Sequence, residues 1–268
     1  MVRVGGADQC RPCLHVDLCV HAPLGRPNKL IQPVHFAHPE MSSSGRTIKV
    51  DWFGDSIGMG FEMMTGPETP ETHKSDPIKI GLEAALGKNP LDLRRCCLPA
   101  RTINLDDPSL PHFSTDPEAF NCAKAIDSCF AERLPNYAVL QLGTNDLRKY
   151  HGQTVEQVGD AMAEMIDSVK DVCMPIVVAP PLMNFRKKLK SNFLEPYYGN
   201  CENSPSLLSK LYKALARQKE VGFYDATRLG NPGAGDGVHL DWDQSCDLGY
   251  WIGREIMRID AKGHQEQF

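Results

Sequence analysis

The sequence predicts a three-layer α/β/α sandwich built on a five-stranded parallel sheet. Two observations carry this. Short strand-like runs alternate with helical stretches along most of the chain, which implies parallel crossovers. One run, Tyr137-Ala-Val-Leu-Gln-Leu142, is almost continuously apolar, as expected of a central strand covered on both faces. No internal repeat or second domain appears.

The elements follow in order. Thr47-Ile-Lys-Val-Asp-Trp-Phe53 reads as the first strand. Asp76-Pro77 opens a helix that ends near Gly87, with proline at the first helical position and glycine at the exit. A short strand follows at about Leu91–Arg95. Asp116-Pro117 opens a second helix, with Phe120, Ala123, Ile126 and Phe130 at helical spacing. Tyr137–Leu142 is the third strand. Thr154 and Gln157 form a capping box ahead of Val158, Met162, Met165, Ile166 and Val169. Pro175–Ala179 is the fourth strand. Ser204-Pro205 starts a helix to about Arg217, Val221–Tyr224 is the fifth strand, and a last helix covers about Asp243 to Ile259. Methionines and phenylalanines at helical spacing are read as core packing.

At 268 residues the chain is long enough for one sizeable core. It is 41% hydrophobic and 24% charged, with a net charge of -5. A mildly acidic chain without a long basic run argues against nucleic acid as the main partner. No apolar stretch reaches the ~18–20 residues of a membrane span. The ten cysteines have no regular spacing and read as reduced thiols. Residues 1–44 are proline-rich and aperiodic, and Met41 with three serines reads as the start of the folded part. The expected division is a disordered extension over 1–44, the domain over 45–260 and a flexible tail over 261–268. Cys10, Cys13, Cys19 and His21 complete no zinc spacing, so no metal is expected. No signal peptide is evident, which favours a cytoplasmic location.

Three motifs carry the chemistry: Gly54-Asp55-Ser56, Gly143-Thr144-Asn145-Asp146 and Asp236-Gly237-Val238-His239. Each follows a strand, so all three fall on the edge of a parallel sheet where ligand sites gather. A serine needs a base to become a nucleophile. Histidine is the usual base, and a carboxylate fixes its tautomer. An asparagine amide can donate to the oxyanion of a tetrahedral intermediate. Alone, each motif is weak: Ser56 reads equally as a turn or helix-capping residue, Asn145 as a turn amide and His239 as a surface histidine. Gly54-Asp-Ser-Ile-Gly58 also matches the G-x-S-x-G elbow of α/β-hydrolases. That elbow follows a middle strand, however, and its acid and histidine usually come from separate loops.

Together the motifs resemble the SGNH (GDSL) hydrolase superfamily over about residues 47–258. Within it, Leu98-Pro-Ala-Arg-Thr-Ile-Asn-Leu-Asp-Asp-Pro108, Leu142-Gly-Thr-Asn-Asp146 and Ala179-Pro-Pro-Leu182 are similar to the bacterial arylesterase/acyltransferase (perhydrolase) branch. The resemblance implies a flavodoxin-like SGNH fold, the triad Ser56, Asp236 and His239, and an oxyanion hole from the backbone N–H groups of Ser56 and Ala100 with the Asn145 side chain. It places pocket walls at Met59 and Phe61. Where the family carries its second-block glycine, this chain has Cys97, which would strain the oxyanion loop if that position has positive φ. Cys97 as nucleophile is disfavoured, since a buried thiol is usually inert.

The expected function is a serine esterase of short-chain or aryl esters, acting through an acyl-serine, with acyltransferase or perhydrolase capacity and no cofactor. Carbohydrate O-acetyl ester hydrolysis is the second reading. The third is a catalytically impaired protein of this fold that binds a ligand. The expected partner is a small-molecule ester, with no nucleic acid and no membrane. Asp55 and Asp146 are read as turn acids, and Arg101 as an ion-pair partner of Asp106 or Asp107. The stretch 184–203 suggests a lid or a homo-oligomer contact.

Overall fold

The computed structural model describes residues 45–60, 76–110, 114–185, 194–199 and 201–265. Residues 1–44, the expected pocket residue Phe61, and residues 186–193 and 200 of the stretch 184–203 lie outside the described residues. The sheet holds five parallel strands in the order β2-β1-β3-β4-β5. These are β1 (Ile48–Gly54), β2 (Leu91–Cys97), β3 (Tyr137–Gln141), β4 (Met174–Ala179) and β5 (Gly222–Asp225). The chain steps from β1 outward to β2 and then back across to β3, so strand order reverses beside β1. This is the crevice where open α/β sheets bind ligands.

The central strands read as apolar runs because both faces are covered. All five residues of β3 are buried, as are Val50, Trp52 and Phe53 of β1. Helix α1 (Pro77–Leu86) packs closely on α6 (Trp242–Gln265), and α3 (Val155–Lys170) packs on α5 (Ser204–Lys219) and β4. Right-handed crossovers put α1 on one side of the sheet and α2 (Cys122–Glu132), α3 and α5 on the other. Backbone contact is close on the first side. A Cβ on Gly81 would meet the Cys246 carbonyl at 2.0 Å, and one on Gly249 would meet the Ile78 carbonyl at 2.0 Å.

Several ends are set by local chemistry. Asp76 caps α1 by accepting from the Lys79 N–H, and Pro77 follows it. The Thr154/Gln157 box closes reciprocally at the start of α3. Three boundaries differ from the sequence reading. The helix expected from Asp116 is two pieces, a 3-10 turn over Pro117–Phe120 and then α2, because Asn121 takes extended backbone and caps α2 at the Lys124 N–H. Strand β2 runs to Cys97, paired with Gly54. Helix α6 continues to Gln265, past residue 260, where a tail was expected.

Among the described residues, no helix is long and apolar enough to cross a membrane. None of their His, Cys, Asp and Glu side chains gather in a group of three or more that could hold a metal.

Candidate active site

The nucleophile turn begins where β1 ends. Asp55 is fully buried, and its Oδ1 accepts from the Ile57 N–H at 2.9 Å and from Gln141 Nε2 at 3.1 Å. This aspartate turn leaves Ser56 half-buried at the tip of the strand. Gly58 gives the turn its clearance. A Cβ there would lie 2.5 Å from Gln141 Oε1 and 2.8 Å from Trp52 Nε1. Arg95 on β2 donates to the Gly58 carbonyl and pairs with Asp76. The turn is therefore tied to both β2 and the start of α1.

Asp236 and His239 come from the loop after β5. Asp236 Oδ1 accepts the N–H of Val238 and of His239, each at 2.9 Å, so the motif folds back on its own carboxylate. Positive φ at Gly235 (91°) and Gly237 (87°) permits this reversal. Asp236 Oδ2 lies 2.6 Å from His239 Nδ1, and His239 Nε2 lies 2.8 Å from Ser56 Oγ. An ionised carboxylate only accepts, so Nδ1 carries the proton and Nε2 is free to accept from the serine. Burial pushes the Asp236 carboxyl up. The hydrogen bond and charge of His239, with the two backbone N–H groups, outweigh it and hold the acid below its ordinary value. The three side chains form a continuous hydrogen-bonded chain from serine through histidine to aspartate.

The residues expected to supply the oxyanion donors, Ala100 and Asn145, lie on the loops after β2 and β3. Leu98 O accepts from Arg101 N at 3.1 Å, closing a β-turn with Pro99 and Ala100 at its centre. Ala100 has φ of 63°. Proline followed by a positive-φ residue is the pattern of a type II turn, which normally takes glycine at that second place. The turn uses the Arg101 N–H, so the Ala100 N–H takes no part in it.

This corrects the expectation for Cys97. Cys97 is the last residue of β2 and is not among the positive-φ residues, so it strains nothing. The position that calls for glycine is Ala100. The Cys97 thiol points under the nucleophile turn, donating to the Trp52 carbonyl at 3.2 Å, and burial raises its pKa far above the ordinary value. It is a packing group, not a nucleophile.

Asn145 opens a 3-10 turn after β3 and is 5% exposed. Its Nδ2 donates to Asp55 Oδ2 at 3.2 Å and to the Arg101 carbonyl at 3.1 Å. Its Oδ1 accepts from Tyr198 Oη at 3.1 Å. Next to it, Asp146 Oδ1 accepts from the Ile103 N–H at 2.9 Å. Neighbouring residues thus grip two points of the Ala100 loop.

The structure brings Ser56, Asp236 and His239 into one relay and sets Asn145 beside the Asp55 turn. Met59 is exposed on the turn after Ser56. Arg101 does not pair with Asp106 or Asp107. Its guanidinium donates to the Cys96 carbonyl at 2.7 Å and the Ala119 carbonyl at 2.9 Å, framing the oxyanion loop. Asp106 takes Lys124, and buried Asp107 takes Arg148. The sequence reading did not place Tyr198 or Phe185 at the site, because nothing in the sequence of 184–203 marks which aromatic turns inward.

No protein-family model and no curated protein matches this chain. Solved structures do. Est24, a carbohydrate acetylesterase from Sinorhizobium meliloti, aligns over 80% of this chain and 100% of its own, with 25% identity and a TM-score of 0.69. The M. smegmatis aryl esterase aligns over 79% of this chain and 99% of its own, with 25% identity and a TM-score of 0.68. A putative arylesterase from Agrobacterium tumefaciens shares the fold at 24% identity and a TM-score of 0.64. The fold is that of the SGNH hydrolases. These alignments span nearly all of each solved chain, and arylesterases, the branch suggested by the sequence, are among them. The serine, asparagine and aspartate-histidine motifs all stand at the carboxyl edge of this sheet.

Proposed function

We propose that the protein is a carboxylic ester hydrolase that uses Ser56 as nucleophile on short-chain or aryl esters. The observation that carries this reading is the continuous relay Ser56 Oγ–His239 Nε2–His239 Nδ1–Asp236 Oδ2, with spacings of 2.8 and 2.6 Å. His239 takes the Ser56 proton as Oγ attacks the ester carbonyl. Asp236 stabilises the imidazolium that forms. The carbonyl oxygen becomes an oxyanion received by the N–H groups of Ser56 and Ala100 and the Asn145 amide. His239 returns the proton to the leaving alcohol, and an acyl-serine remains. Water, activated by the same histidine, releases the acid. An alcohol or a peroxide in place of water gives acyl transfer or perhydrolysis.

Met59 and Phe61 are assigned to the acyl pocket on the family resemblance. A second reading, removal of O-acetyl groups from carbohydrates, is favoured by the likeness to Est24. Activity on a panel of p-nitrophenyl esters and acetylated sugars separates the two. Preference for p-nitrophenyl esters of short acids supports the first reading, and preference for acetylated sugars the second. Loss of neither activity in Ser56→Ala overturns both.

A further inference from the structure

We propose that Tyr198 is a positioning residue: its hydroxyl satisfies the Asn145 carbonyl oxygen and, together with the two acceptors on the Nδ2 side, holds the amide so that its N–H faces the oxyanion. The inference rests on the esterase reading and adds a residue that no motif contains.

Asn145 can sit in its pocket in two orientations related by a flip of the amide. In the observed one, Nδ2 meets two acceptors, Asp55 Oδ2 and the Arg101 carbonyl, and Oδ1 meets one donor, Tyr198 Oη at 3.1 Å. The flip would set Oδ1 against two oxygens. Tyr198 is the side-chain donor on the opposite side, and without it the buried Oδ1 loses its partner. Both bonds from Nδ2 are near the long end of the N–H···O range, at 3.1 and 3.2 Å. An oxyanion can therefore share these hydrogens without breaking a short bond. Donation from Tyr198 to Oδ1 also polarises the amide and strengthens what Nδ2 can give.

The phenol is well suited to this. Tyr198 is 4% exposed, and burial keeps its pKa far above the ordinary value, with the Arg148 charge opposing only in part. Burial thus favours the protonated phenol, which can donate to Asn145 Oδ1. Its placement is fixed from both sides. Tyr198 ends the short helix α4 (Glu195–Tyr198), closed by Gly199 at φ of 61°. The Tyr197 carbonyl accepts from the Lys149 N–H at 2.8 Å, tying α4 to the loop that carries Asn145. On the other side Phe185 stacks on the Tyr198 ring, with centroids 6.0 Å apart and planes at 19°. Phe185 in turn packs against Gly237, where an added Cβ would lie 2.9 Å from its ring, and the Asn184 N–H donates to the Gly237 carbonyl at 2.9 Å. One segment thus braces the oxyanion amide and the acid–base loop together.

The test is a double-mutant cycle on Tyr198→Phe and Asn145→Ala, read as kcat and KM on p-nitrophenyl acetate. Outright loss of one oxyanion donor costs about 10²–10³ in kcat. Tyr198→Phe weakens such a donor without deleting it, so kcat should fall about tenfold with KM within about twofold. In the Asn145→Ala background the same substitution should change kcat by less than about twofold. An equal fall in both backgrounds, or a change in KM alone, overturns the proposal. If Tyr198→Phe does not fold, 3-fluorotyrosine at position 198 replaces it, since a more acidic hydroxyl donates more strongly. It should raise kcat in the wild-type background only, and an unchanged kcat overturns the proposal. A wild-type protein that neither hydrolyses the ester nor takes a fluorophosphonate label would overturn the esterase reading, and this proposal with it.

Discussion

Asp55 and Asn145 share a hydrogen bond of 3.2 Å, so the acid that shapes the Ser56 turn also orients the Asn145 amide. Burial raises the Asp55 pKa, and the donors from Gln141 and Ile57 oppose that rise. Asp55→Asn keeps the size but places an NH₂ group among donors. It should fold, and its kcat on p-nitrophenyl acetate should fall about 10–10²-fold, less than outright loss of an oxyanion donor. Circular dichroism checks the fold and steady-state kinetics check the rate. Retention of full kcat would separate the turn acid from the chemistry.

Ala100 has the positive φ that the sequence reading considered for Cys97. An alanine at φ of 63° costs about 1–2 kcal/mol. Ala100→Gly relieves this but loses a mostly buried methyl, worth about 0.8 kcal/mol, and enlarges the unfolded ensemble. Stability should therefore stay within about 1 kcal/mol and activity should persist, because the N–H remains. Ala100→Val forces a β-branched residue into the same conformation, costing about 1–3 kcal/mol, and should lower kcat as the turn shifts. Urea denaturation with parallel kinetics on the two variants checks both statements.

Cys97 ends β2 and packs below Gly54 and Gly58, where added Cβ atoms would lie 3.2 and 3.1 Å from its sulfur. Cys97→Gly should lower stability by about 1–3 kcal/mol through lost packing and a larger unfolded ensemble. Turnover should change by less than about twofold, since the thiol touches no reacting atom. A steep loss of kcat in the folded variant would give the thiol a chemical role.

Asp146 supplies the pH dependence. Burial raises its carboxyl from 3.8 to about 7, with the Ile103 N–H opposing and the Asp55 charge adding. A carboxyl raised in the folded state is protonated there while the unfolded chain has already ionised. Folding therefore takes up a proton between about pH 4 and 7, and stability falls as pH rises through that window. Asp146→Asn should flatten this slope and raise Tm at pH 8 relative to wild type. Thermal melts at half-unit pH steps read it out. A wild-type Tm that rises steadily from pH 5 to 8, with the same slope in Asp146→Asn, would show that Asp146 does not titrate there.

The sheet and the placement of the three motifs were legible because each rests on local rules. Alternating strands and helices, a capping box at Thr154, and motifs placed after strands all appear as short-range patterns. The remainder depends on contacts distant in sequence. Asn121 breaks the expected helix because its amide also reaches the Asn104 carbonyl and Asp106. Arg101 bonds carbonyls across the oxyanion loop in preference to the nearby acids, a choice set by the path of the loop. The positive φ at Ala100 was foreshadowed by Pro99, the residue favoured just before it in such a turn, and aligning the family glycine to Cys97 obscured it. Tyr198 meets Asn145 across 53 positions of chain, which no periodicity reveals.

The most direct test of the account is reaction of the full-length protein with a fluorophosphonate probe, read by intact mass and peptide mapping. Wild type should take one adduct, on Ser56. His239→Ala should label more slowly by about 10³-fold or more, since the serine loses its base, and Ser56→Ala should not label at all. Undiminished labelling of Ser56→Ala, or an unlabelled wild type that is folded, would contradict the assignment of Ser56 as the nucleophile of an ester hydrolase.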